Sequence, residues 1–147
     1  MLDGVFKLEL DAKLVIAGYS FPAFSGDGES RNRRTHICLP NQGPIPVGDY
    51  HILDRQTGPL GVFRQRHKKD WFALYAKDRV VDDQLFCEGV LRGQFRLHPK
   101  SGGGVSRGCI TLERPSDFAL LRQLFEATER VPIPRTPWMS YGTVIVR

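Results

Sequence analysis

Apolar and polar residues alternate in short runs along most of this chain, and that alternation has the period of strands. Phe6, Leu8 and Leu10 alternate with Lys7 and Glu9; Asp11-Ala12 supplies a turn, and Lys13-Leu14-Val15-Ile16-Ala17 follows, which predicts an opening hairpin. Thr35–Leu39, Asp49–Asp54, Gly61–Arg66, Trp71–Ala76, Gln94–His98, Cys109–Leu112 and Thr143–Val146 are further strand candidates. Ser20–Arg34, rich in glycine, serine and charge, reads as a long loop. Gly43–Gly48 reads as a fixed turn, because two prolines and two glycines continue neither regular element. The period changes once. Phe118, Leu121, Leu124 and Phe125 recur at helical spacing, with Ser116 as the expected cap and Asp117 well placed in the first turn. The helix should end before Pro132-Ile133-Pro134. Many short strands and one principal α-helix after the Cys109 strand predict a mainly β domain, a sandwich or barrel. No repeat or linker divides it, so residues 1–147 read as a single domain.

Composition adds little to fold but bounds the partners. With 41% hydrophobic and 10% aromatic residues the chain is ordinary globular protein, large enough for its own core. The formal charge of +5 comes from clusters such as Arg31-Asn32-Arg33-Arg34 and Arg64-Gln65-Arg66-His67-Lys68-Lys69. Such a surface attracts nucleic acid, anionic wall polymer and acidic proteins alike, so charge alone selects none of them. No apolar run is long enough to span a bilayer, and Met1–Lys7 has neither the basic flank nor the apolar core of a signal peptide. The chain is therefore expected to be made in the cytoplasm, as a whole protein or as one domain of a longer one. Three cysteines, Cys38, Cys87 and Cys109, make an odd count in a domain that needs no staples. The expectation is no disulfide framework, with Cys38 and Cys87 in the core.

Chemistry concentrates in one stretch, Phe95-Arg96-Leu97-His98-Pro99 through Ser106-Arg107-Gly108-Cys109-Ile110-Thr111. The intervening Lys100-Ser101-Gly102-Gly103-Gly104-Val105 is too glycine-rich for regular structure and can fold back to bring His98 to Cys109. A thiol attacks only as thiolate, and an imidazole in reach takes its proton and later returns it to a leaving group. Gly108 leaves the sulfur unobstructed, so backbone N–H groups of the Ser106–Cys109 turn are candidate oxyanion donors, with Ser106 shaping the turn. Arg92 and Arg96 are candidates to line the cleft, with solvated surface arginine as the duller reading. A zinc site would need Cys and His pairs at ligand spacing, and neither C-x-x-C nor H-x-x-x-H occurs; no metal and no cofactor is expected.

His98-Pro99, a glycine-rich gap and Ser106-Arg107-Gly108-Cys109-Ile110-Thr111 resemble the signature of the YkuD-like L,D-transpeptidase superfamily, in which histidine precedes S-x-G-C. Phe24-Ser25-Gly26 with Asn32, and Gly43-Pro44-Ile45-Pro46-Val47-Gly48-Asp49-Tyr50, narrow the resemblance to its type VI secretion effector branch. Where many transpeptidases carry histidine after the serine and arginine two places after the cysteine, this chain has Arg107 and Thr111. Arg107 is the candidate that takes over substrate-carboxylate recognition, since a guanidinium matches a carboxylate bidentately. The resemblance implies an L,D-transpeptidase-like fold and a cysteine enzyme acting on the L,D-peptide bond of peptidoglycan tetrapeptide stems. Hydrolysis, D-amino-acid exchange or cross-linking follows according to the acceptor. It further implies a backbone carbonyl orienting His98, with the Gly102–Val105 loop as candidate, and a toxin sent by a non-Sec route to the periplasm of a target cell. Its partners would be an immunity protein and a component of the secretion apparatus. Two other classes stay open: an inactive peptidoglycan-binding relative, and a basic nucleic-acid-binding module, for which no motif is visible.

Overall fold

The strand that opens the chain, β1 (Leu2–Phe6), lies in parallel against the strand that ends it, β12 (Gly142–Val146), and in antiparallel against β2 (Lys13–Ile16). That three-strand contact closes a barrel. The computed structural model describes residues 1–56, 71–101 and 107–147; the strand expected at Gly61–Arg66 lies outside them. Around the barrel run β1, β12, β4 (Gly48–Asp54), β5 (Phe72–Ala76), β8 (Arg96–Pro99), β9 (Ile110–Leu112), β3 (Tyr19–Phe24) and β2. All neighbouring pairs are antiparallel except β1 with β12 and β8 with β9. Beside the barrel stand two hairpins, β6 (Gln84–Cys87) with β7 (Val90–Gly93), and β10 (Val131–Pro132) with β11 (Met139–Ser140). Gly142 permits the closure: a side chain there would meet the Leu2 carbonyl oxygen at 1.7 Å.

Alternation decides which side chains fill the barrel. Phe6, Leu14, Ile16, Tyr50, Ile52, Leu74, Leu97, Ile110 and Val144 form one cluster, sealed by Phe118, Leu121 and Phe125 of α1 (Pro115–Glu126). The opposite face of β4 and β5 is covered too. Leu53, Ala73 and Tyr75 pack against Ile133 and Trp138, which explains why β5 is apolar on both faces. Among the described residues no helix is long and apolar enough to cross a membrane.

The fold is the mainly β domain with one principal helix that the alternation predicts, and beyond the two hairpins beside the barrel, which the alternation does not predict, it differs locally in four places. The first strand begins four residues earlier than Phe6: Leu8 stays buried, but Leu10 is 92% exposed and lies in the turn. The presumed loop from Ser20 contains β3, because Ala17 and Gly18, both at positive φ, make a two-residue hairpin turn that returns the chain antiparallel to β2. Thr35–Leu39 is not a strand. It turns on itself, His36 N–H to the Arg33 carbonyl at 3.0 Å and Leu39 N–H to the His36 carbonyl at 3.1 Å. The helix starts on Pro115, whose fixed φ suits the first helical position, so Arg114 and not Ser116 occupies the cap.

The cysteine expectation is overturned for two of three residues. Cys38 and Cys87 form a disulfide that ties the turn after Arg34–His36 to the β6–β7 hairpin. Arg92, on β7, reaches into the same turn.

Candidate active site

Strand register assembles the site. In the parallel β8–β9 pair Leu97 sits opposite Ile110 and His98 opposite Thr111, and one step back the same register sets Arg96 against Cys109. Because side chains alternate, His98, Thr111, Arg96 and Cys109 share one face while Leu97 and Ile110 enter the core. His98 and Cys109 are thus diagonal neighbours across two hydrogen-bonded strands.

The same face continues over two more strands. Phe72 pairs with Leu97 and Asp54 with Phe72, which brings Trp71 level with His98 and Arg55 level with Trp71. The Trp71 and His98 rings stack at 4.0 Å between centroids and 15° between planes, and the Arg55 guanidinium carbon lies 5.8 Å from the Trp71 ring centre. A row of Arg55, Trp71, His98 and Thr111 therefore crosses β4, β5, β8 and β9.

His98 is 4% exposed. Its Nδ1–H donates to the Pro99 carbonyl at 2.8 Å, since a carbonyl only accepts, and that leaves Nε2 unprotonated in the neutral ring. The Thr111 hydroxyl lies 3.3 Å from Nε2. The carbonyl orienting the histidine is that of its own neighbour, whereas the Gly102–Val105 loop expected in that role lies outside the described residues, as does Ser106.

Cys109 lies outside the disulfide and is partly exposed. A thiolate at Cys109 favours the charged forms of Arg96 and Arg55, and by reciprocity their guanidinia favour the thiolate. Burial works against the charge of Arg96. The paired hydrogen bonds to Asp83, both 2.7 Å, and the negative charges of Asp83, Tyr75 and Cys109 outweigh it and hold its pKa above the usual arginine value. Arg55 has its pKa lowered, first by burial and then by Arg96.

The three arginines proposed for substrate binding separate. Arg107 is exposed beside Gly108. Arg96 faces Cys109 but is clasped by Asp83. Arg92 is neither solvated nor lining a cleft: it is 4% exposed, and its guanidinium donates to the carbonyls of Ile37, Gly43 at 3.0 Å and Pro44 at 3.3 Å. The reason is the turn above it, whose carbonyls find no strand partner and converge on one fork of N–H groups. Gly108, at φ +109°, rests on this arginine. A side chain there would meet Arg92 Nη2 at 2.6 Å and the Phe95 ring at 2.9 Å. Arg92 thus supports the residue that precedes the nucleophile candidate.

The other motif residues support the same turn. The Asn32 side chain accepts from Ser25 N–H at 2.9 Å while its own N–H donates to the Ser25 carbonyl at 2.7 Å, and Ser25 Oγ accepts from Ile45 N–H at 2.8 Å. Tyr50 closes the proline turn by donating to the Pro46 carbonyl at 2.7 Å. Sequence reasoning singled out neither Arg55 nor Asp83, and Trp71 entered it as the start of a strand candidate. A charge and an aromatic facing His98 show themselves only once the strands are in register.

No curated protein matches this chain. A family model described as the Tlde1 domain matches residues 19–136, a span that holds Ser25, Asn32, the proline turn, His98 and Cys109. That match covers most of the sequence, and the chain belongs to the Tlde1 domain family, a family of type VI secretion effectors.

Proposed function

We propose that this effector domain is a cysteine enzyme that cuts the L,D-peptide bond of peptidoglycan tetrapeptide stems. The observation that carries the reading is the β8–β9 register, which sets His98 and Cys109 on one face with Nδ1 of His98 committed to the Pro99 carbonyl. The committed Nδ1 leaves Nε2 as the base.

Nε2 takes the Cys109 proton, and the thiolate attacks the carbonyl carbon of the third stem residue. As the tetrahedral intermediate collapses, the C–N bond to the terminal D-alanine breaks, and the departing amine takes the proton from His98, leaving a thioester on Cys109. Water then attacks the thioester, giving the shortened stem and the free thiol; a D-amino acid amine attacking instead forms a new amide and exchanges the terminal residue. Backbone N–H groups beside Gly108 and Cys109 are the candidate oxyanion donors, and the exposed Arg107 is the candidate to meet a stem carboxylate. An effector with this activity would work in the periplasm of a target cell, loaded by its secretion apparatus and opposed by an immunity protein.

The test is digestion of purified tetrapeptide muropeptides by wild type, His98→Ala and Cys109→Ala, with products followed by mass with and without added D-amino acid. Loss or replacement of the terminal D-alanine by wild type alone is the expected result. Intact muropeptides with folded wild type would overturn the reading and bring the inactive peptidoglycan-binding relative forward.

A further inference from the structure

Trp71 is the aromatic neighbour that a catalytic His98 would have to share its charge with. The two rings are nearly parallel and in contact, 4.0 Å apart, and Trp71 directly precedes Phe72, which pairs with Leu97 beside His98. The His98 ring is thereby fixed on two sides, by the Trp71 face and by the Pro99 carbonyl on Nδ1.

We propose that Trp71 is a positioning residue for His98, locking the imidazole against rotation and stabilising its protonated form through the indole face, so that Cys109 ionises at lower pH. This deepens the cysteine-enzyme reading and rests on it. A desolvated cation over an indole is stabilised by enough to move a titration by about one pH unit, which is about a tenfold change in thiolate population on the rising limb. The surrounding charges divide in their effect. Arg55, after β4, and Arg96, on β8, oppose a charged imidazole but favour a thiolate; Asp83 neutralises Arg96 through its paired hydrogen bonds. Tyr75 of β5 acts on Arg96, and Lys100 and Glu113, paired at 3.6 Å, flank the ends of β8 and β9. Within this set the indole favours the imidazolium without carrying a charge that would repel a carboxylate substrate.

The test needs no substrate. Alkylation of Cys109 by iodoacetamide is followed against pH without reductant, so that Cys38 and Cys87 remain joined, in wild type, Trp71→Phe, Trp71→Leu and His98→Ala. The expected result is that Trp71→Leu moves the rising limb upward by about one pH unit, which is about tenfold slower labelling on that limb, while Trp71→Phe keeps most of the wild-type profile. A Trp71→Leu profile that coincides with wild type, or that falls by one factor at every pH, would overturn the proposal, since a purely structural residue scales the rate without moving the limb. If His98→Ala keeps the wild-type profile, the His98–Cys109 pair fails along with the role of Trp71. A collapse in His98→Ala with no shift in Trp71→Leu sinks the role of Trp71 alone. Should Trp71→Leu not fold, fluorinated tryptophan incorporated in a Trp138→Phe background weakens the ring's negative face at unchanged shape; the limb should climb with each added fluorine, and a stationary limb would overturn the proposal.

Discussion

Two arginines on adjoining stretches of this chain, Arg92 and Arg96, are both withdrawn from water and solve the problem of a buried cation differently. Arg92 is held by neutral carbonyls of Ile37, Gly43 and Pro44, and burial lowers its pKa, with the Tyr50 phenol acting the other way. Arg96 is held by a carboxylate and its pKa is raised. The first organises backbone: without it three carbonyls lose their donor and Gly108 loses its floor. The second organises charge beside Cys109. Position in the fold, more than residue type, separates a supporting arginine from one that tunes the site.

Removing Arg92 should cost most. Arg92→Met leaves buried carbonyls unsatisfied and is expected to lower unfolding free energy by about 3–5 kcal/mol, measured by urea denaturation. Arg92→Lys keeps the charge but not the fork and should fall between. Gly108→Ala attacks the same support from above: positive φ and collision with Arg92 and Phe95 predict a loss of about 1–3 kcal/mol and a displaced Cys109, visible as slowed alkylation in a protein that still folds. Arg96→Gln and Asp83→Asn should each cost about 1–2 kcal/mol, and the double variant less than their sum, in a double-mutant cycle. A raised arginine pKa contributes stability that is complete below the unfolded value and is lost only as pH climbs through the folded one. Between roughly pH 5 and 9 the Arg96 contribution should therefore not vary.

The smallest effect belongs to Tyr50, which lies under Arg92. Burial, first among its causes, pushes this phenol well above the ordinary tyrosine range, Arg92 pulls it down and Asp78 pushes it up. Its folded pKa being raised, the stabilisation is complete below about pH 10, the unfolded value, and then declines by about 1.4 kcal/mol per pH unit as the unfolded chain ionises first. Tyr50→Phe should cost about 1 kcal/mol at neutral pH through the lost bond to Pro46 and remove its own share of the alkaline decline, to which Tyr75 and Tyr141, also raised, add theirs.

What was legible in the sequence follows from what period can encode. β4, β8, β9, β12 and α1 announce themselves because a face of each meets the core, and period reports faces, while β5, covered on both faces, shows as a short apolar run. β3 was hidden by Pro22 and by the polar run after Phe24, and β6–β7 by a hairpin that leaves Phe86 and Leu91 exposed, so its alternation marks no core. His98 and Cys109 were readable as a motif. Arg55, Trp71 and Asp83 were not, because they reach the site through register between strands distant in sequence. Arg92 was readable as a cleft-lining candidate or a solvated arginine; only the turn closing over it makes it a buried one.

The bridge between Cys38 and Cys87 closes a loop of 49 residues of sequence separation, worth about 4 kcal/mol on a chain-entropy account. Cytosolic thiols are kept reduced, and oxidising compartments join them. One sequence is thus two materials. Where glutathione rules, the turn that carries Ile37, Gly43 and Pro44 loses its covalent tie to the β6–β7 hairpin and keeps the Arg92 hydrogen bonds, and the floor under Gly108 is correspondingly softer. Where thiols oxidise, a covalent bond is added to that hold, so the rigidity of the site is set by the address of the protein as much as by its sequence.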